Sequence, residues 1–134
     1  MTESLSDTRK LACIVEDDEA LAQGFAVALE EAGFDSKIFS EGSSALDFLN
    51  DMVPSIILLD LNLPGMSGED ILRSIRADER LAEIKVVIIS ADSTWASYLQ
   101  NQATIVLTKP IGFRLLRDLA VRLHDGSFVE GGAD

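Results

Sequence analysis

The feature that most constrains this chain is an alternation running from end to end, in which short apolar runs give way to longer segments with apolar residues at helical spacing. Lys10 to Val15 reads as a short buried strand. Leu21, Phe25, Ala28, Leu29 and Ala32 then lie on one face of a helix over about Glu19 to Ala32, with Gly33 placed to close it. Ser36 to Phe39 is a weaker strand, and Ser43 to Asn50 a short helix with Leu46 and Leu49 inward. Ser55 to Leu59 is almost wholly apolar, as suits a central parallel strand covered on both faces. After Asp60 comes a turn segment, Leu61 to Gly68, centred on Pro64 and Gly65. Ser67 and Asp70 then match a capping box for a helix over Glu69 to Arg76. Ile84 to Ile89 is a second buried run, and a short irregular helix is expected over Thr94 to Asn101. Thr104 to Leu107 is the last strand. Ile111 to Leu123 is the last helix, with Ile111, Leu115, Leu116, Leu119 and Leu123 assigned to one face.

Strands alternating with helices imply an α/β fold, a doubly wound five-stranded parallel sheet with helices on both faces. Periodicity leaves the strand order open between 2-1-3-4-5 and other doubly wound orders. In any of them, ligands bind at the carboxyl ends of the strands.

Composition narrows the classes of function. The 134 residues favour one domain, and the formal net charge of −12 argues against nucleic acid as a direct ligand. It allows a basic partner or a bound cation. With Cys13 as the one cysteine, no intramolecular disulfide is possible, which fits a cytoplasmic location. No apolar stretch is long enough for a membrane span, and Met1 to Lys10 has no signal-peptide core.

The strand ends carry the chemistry. Glu16, Asp17 and Asp18 follow the first strand, Asp60 the third, Ser90 the fourth and Lys109 the fifth. Crowded carboxylates repel one another, and a divalent cation relieves the repulsion. Oxygen ligands from few carboxylates are the habit of magnesium. An aspartate beside such a cation can act as a covalent nucleophile, with a hydroxyl and an ammonium left to bind phosphoryl oxygens. Taken singly, Asp17-Asp18 would be a helix-cap pair, Asp60 a turn residue, Ser90 an idle strand end and Lys109 a surface lysine. Their repetition at one edge of the sheet is what argues for a site.

From about Arg9 to Leu123 the sequence resembles the response-regulator receiver domains of bacterial two-component systems, the chemotaxis receiver among them. The resemblance rests on Ile14-Val15-Glu16-Asp17-Asp18, Leu58-Leu59-Asp60-Leu61-Asn62-Leu63-Pro64-Gly65-Met66-Ser67-Gly68, Ile88-Ile89-Ser90-Ala91 and Thr108-Lys109-Pro110. It implies the order 2-1-3-4-5 in a flavodoxin-like three-layer sandwich. It also implies a receiver domain over 9–124 with flexible tails at 1–8 and 125–134. Asp60 resembles the phosphoacceptor. Glu16 and Asp17 resemble the acidic pair that holds Mg²⁺ (or Mn²⁺) with Asp60, and Asn62 the residue giving its backbone carbonyl to the metal. Ser90 resembles the switch hydroxyl, Lys109 the lysine that pairs with carboxylate and phosphoryl oxygen, and Pro110 a residue after a cis bond. Asp18 is left to start the helix.

The implied partners are a sensor histidine kinase or phosphotransfer protein and a downstream protein, or an effector domain absent from this chain. No direct nucleic acid and no membrane are implied, and the state is monomer or phosphorylation-dependent dimer. The domain assists only its own phosphorylation and dephosphorylation and is not otherwise an enzyme. The eleven residues after Leu123 are too few for an effector domain, so the chain reads as a stand-alone or an excised receiver.

Two departures stand out. Val106 occupies a place that often holds an aromatic ring, and the stretch from Ser90 to Lys109 is short. They motivate an alternative, a pseudo-receiver serving as a phosphorylation-independent interaction or dimerisation module. A phosphatase with an aspartyl intermediate would want a second aspartate where Asn62 stands. A flavin site would want hydroxyls where Glu16-Asp17-Asp18 stands. His124 reads as a surface residue facing a helix dipole, and Trp95 and Tyr98 as packing or partner residues without chemistry.

Overall fold

The computed structural model describes residues 9–92, 94 and 102–127. Five strands form one parallel sheet: β1 (Lys10–Val15), β2 (Phe34–Phe39), β3 (Ile56–Asp60), β4 (Lys85–Ser90) and β5 (Ile105–Thr108). Their order is β2-β1-β3-β4-β5, which resolves the order that periodicity left open. The α-helices among the described residues are α1 (Glu19–Glu31), α2 (Gly42–Asp51), α3 (Gly68–Ala77) and α4 (Phe113–Asp125). A 3₁₀ turn, Glu79–Leu81, precedes β4.

The period-2 alternation of the strands divides the core. Cys13, Val15, Ile57, Leu59, Val86 and Ile88 pack with Ala45, Leu49, Ile71, Leu72 and Ile75 of α2 and α3. Ala12, Ile14, Ile56, Leu58, Val87 and Ile89 pack with Ala22, Phe25, Ala28, Leu29, Leu116 and Ala120 of α1 and α4. Because both faces of β3 are covered, all five of its residues are buried, and this is why its sequence shows no polar alternation.

Local signals explain the element ends. The Asp18 carboxylate accepts the Leu21 amide at 3.1 Å and the Ser67 hydroxyl accepts the Asp70 amide at 3.1 Å, capping α1 and α3. Gly33 follows α1 with φ +103°, a conformation that L side chains rarely adopt. A Cβ there would also lie 2.9 Å from His124 Nε2.

Several expectations need correction. Strand β2 begins two residues earlier than Ser36, because Phe34 is buried and pairs with Lys10 across the sheet. In α1, Ala22 rather than Leu21 is fully buried, since the inward stripe follows 22, 25, 28 and 29. In α4 the stripe runs through Leu116 and Ala120, which turns Leu115 outward to 52% exposure. Ile111 precedes that helix. His124 packs rather than simply facing solvent, its ring edge-on to Phe34 at 5.1 Å between centroids. The helix expected over Thr94 to Asn101, with Trp95 and Tyr98, lies outside the described residues apart from Thr94, which is helical. Of the expected tails, 1–8 and 128–134 also lie outside them. Asp125 closes α4 instead of opening a tail, and Gly126 caps it at φ +79°.

Candidate functional site

Parallel strands deliver their last residues to one edge, and the buried polar residues are found there: Glu16 just past β1, Asp60 ending β3 and Ser90 ending β4. Burying two carboxylates is unfavourable unless they are compensated. Asp60 is compensated on both oxygens. Its Oδ1 accepts the Asn62 amide at 3.0 Å and its Oδ2 accepts the Lys109 ammonium at 3.3 Å. Lys109 reaches in from beyond β5, where the Lys109–Pro110 peptide is cis and the Lys109 amide donates to the Ser90 carbonyl at 2.8 Å.

Glu16 is less well served. Its Oε2 accepts the Asp18 amide at 3.1 Å. Its Oε1 is buried without a hydrogen bond, 3.6 Å from Lys109 Nζ. Burial pushes the Glu16 carboxyl up to about 7, and the charge of Asp60 pushes the same way. The Asp18 amide and the charge of Lys109 pull it down. One ammonium therefore serves two buried carboxylates. Exposed Asp17 completes the group, and ligand oxygens of Glu16, Asp17 and Asp60 all lie within 4.8 Å of one another.

A hard divalent cation fits this donor set. All the donors are carboxylate oxygens, Glu16 carries a buried oxygen without a hydrogen bond, and the net charge with Lys109 is negative. The residues singled out at the strand ends are thus brought together, with two qualifications. Asn62 meets Asp60 through its amide N–H. The Ser90 hydroxyl is engaged with Asp92, accepting its amide at 3.0 Å and donating to its carbonyl at 3.3 Å. Val106 is partly buried against the core.

Two contributors escaped sequence reasoning. The Asp18 amide orients Glu16, a role that any residue's backbone could play and that carries no side-chain signal. Gly68, at the start of α3, runs so close to the end of β3 that a Cβ there would lie 2.6 Å from Leu61 Cα and 3.1 Å from the Asp60 carbonyl oxygen. Its signal was the Ser67-Gly68 pair at the end of the turn segment.

The chain is similar in sequence and in fold to known proteins. A sensory transduction protein RegX3 from Mycolicibacterium smegmatis is 36% identical over 123 residues, covering 90% of this chain and 54% of that protein. The DNA-binding response regulator MtrA of the same organism is 37% identical over 83 residues, covering 62% of this chain and 35% of that protein. The chain therefore spans between about a third and about half the length of these curated relatives. Among solved structures, the signal receiver domain of a LuxO repressor protein from Vibrio parahaemolyticus superposes with a TM-score of 0.79 at 29% identity, covering 89% of this chain and 92% of that one. A sensor protein from Polaromonas sp. JS666 gives a TM-score of 0.77 at 29% identity, covering 90% and 99%. Residues 12–121 match the response regulator receiver domain as a family, and the chain belongs to that family.

Proposed function

We propose that this receiver domain, spanning 9–124, accepts a phosphoryl group on Asp60 and uses it to switch a protein–protein interaction in the cytoplasm. The observation that carries the reading is the placement of Asp60. It is buried at the carboxyl edge, held by the Asn62 amide and the Lys109 ammonium, with Glu16 and Asp17 oxygens beside it. The donor in this reading is a phosphohistidine of a sensor kinase or phosphotransfer protein. An Asp60 carboxylate oxygen forms the new P–O bond as the P–N bond breaks, and the imidazole nitrogen keeps the electron pair.

Glu16, Asp17, Asp60 and the Asn62 carbonyl would hold Mg²⁺, or Mn²⁺ in its place. That cation supplies neutralisation of phosphoryl charge and a fixed position for its oxygens. Lys109 binds a phosphoryl oxygen once Asp60 is phosphorylated. Ser90 exchanges its bond to Asp92 for one to the phosphoryl group, which couples the acceptor to the segment that follows β4. The domain assists its own phosphorylation and dephosphorylation only. No described helix is long and apolar enough to cross a membrane.

Intact mass after incubation with magnesium and a small acyl-phosphate donor tests the reading. A gain of one phosphoryl group in the wild type and none in Asp60→Ala is the expected result. No gain in the wild type, from that donor or from a phosphohistidine protein, would favour the phosphorylation-independent interaction module to which Val106 points.

A further inference from the structure

We propose that Asp18 is a positioning residue for cation binding, acting through the carboxylate of Glu16. The inference rests on the reading of Glu16, Asp17 and Asp60 as the cation-holding group.

Asp18 makes two bonds in opposite directions along the chain. Its side chain accepts the Leu21 amide at 3.1 Å and so anchors the first turn of α1. Its own amide donates to Glu16 Oε2 at 3.1 Å. Of the two Glu16 oxygens, this is the one with a hydrogen bond. The other is buried without one, 3.6 Å from Lys109 Nζ, and Glu16 shares its cluster with Asp17 and Asp60. The amide thus fixes the carboxylate plane and leaves Oε1 as the ligand atom. A residue that fixes a ligand's orientation raises affinity by reducing the freedom lost on binding. Asp18 itself is exposed, and none of its carboxylate oxygens belongs to the cluster. The helix cap and the ligand therefore share one residue, so that loosening the first turn of α1 releases the amide that orients Glu16.

Binding of Mn²⁺ alone, followed by the electron paramagnetic resonance signal of the free ion, tests this on the whole chain. Asp18→Ala removes the cap and the charge together and is expected to weaken binding about tenfold. Asp18→Asn and Asp18→Ser remove the charge but keep a capping oxygen, and are expected to stay within about twofold of wild type. Asp78→Ala removes a side-chain cap at the opposite edge, where Asp78 accepts the Arg80 amide at 2.9 Å, and is expected to leave binding unchanged. Equal weakening by Ala, Asn and Ser would show that Asp18 acts through its charge and would overturn the proposal, as would unchanged binding in Asp18→Ala. A wild-type chain that does not take up Mn²⁺ would overturn the cation reading itself, an outcome distinct from either.

Discussion

The two edges of the sheet put their charges to different uses and reach different degrees of satisfaction. At the amino edge stand Arg9, Lys10, Arg76, Arg80 and Lys85, five of the eleven lysines and arginines in the chain. Three of them bind carbonyls in the last turns of helices from outside those helices. Arg9 reaches the Glu30 carbonyl of α1, Lys10 the His124 carbonyl of α4 and Arg80 the Leu49 carbonyl of α2, at 3.3, 2.7 and 2.7 Å. Arg76, in the last turn of α3, binds the Gln102 carbonyl at 2.8 Å. A parallel α/β fold sends every helix C-terminus to this edge, where the helix dipole is negative and cations are favoured. The same logic puts helix N-termini and acids at the carboxyl edge. There, however, the acids are in excess of what their partners neutralise, and Glu16 retains a buried oxygen without a hydrogen bond. One edge consumes its charges in holding the fold together. The other keeps an imbalance that a cation or a phosphoryl group can act upon.

That comparison can be broken most directly at Lys109. Lys109→Ala leaves two buried carboxylates without their ammonium, and should lower stability in urea at neutral pH by about 3 kcal/mol in the absence of divalent cations. A change below about 1 kcal/mol would show that the edge is not electrostatically strained.

A somewhat smaller effect is expected from pH. With a carboxyl raised from 4.5 to about 7, the folded protein binds the Glu16 proton more tightly than the unfolded chain does. Its contribution to stability is then complete below pH 4.5 and is lost as pH rises through about 7 in the absence of cations. Urea midpoints across this range should fall in the wild type relative to Glu16→Gln. Added magnesium should reverse the fall, and parallel curves for the two proteins would contradict the assignment.

Gly68→Ala sharpens the comparison sterically. The new methyl meets the Leu61 backbone, and the displacement should lower stability by about 2 kcal/mol while slowing phosphorylation of Asp60 by the small donor. A loss of stability with the phosphorylation rate intact would mean that the acceptor does not depend on this close approach.

The smallest change is expected from Arg80→Ala, at the satisfied edge. It removes the bond to the Leu49 carbonyl and should lower stability by about 1 kcal/mol. Mn²⁺ affinity should not change, and an altered affinity would mean that the edges communicate.

Much of this was legible in the residues. The apolar runs announced β1, β3 and β4, the pairing of Ser67 with Asp70 announced the start of α3, the family resemblance left Asp18 to start α1, and Gly33 announced the end of α1. The acidic triplet, Asp60, Ser90 and Lys109 fall at strand ends in the sequence alone. The early start of β2 was not legible, because Phe34 is recruited by pairing with Lys10 rather than by local pattern. Nor was the outward turn of Leu115, since an apolar stripe two residues wide leaves its edge undecided until α1 packs beside it.

What the sequence determined by itself was the alternation of elements, the parallel sheet and the set of side chains delivered to its carboxyl edge, because periodicity and turn chemistry are local. The strand order follows from the residues only through the family resemblance; physically it is decided by how helices pack on both faces. Only the tertiary structure decided that Lys109 spans Asp60 and Glu16, that Ser90 is held by Asp92, and that the Asp18 amide orients Glu16. Those contacts join residues by backbone groups or across strands, and neither backbone amides nor distances across a sheet leave a mark in the order of side chains.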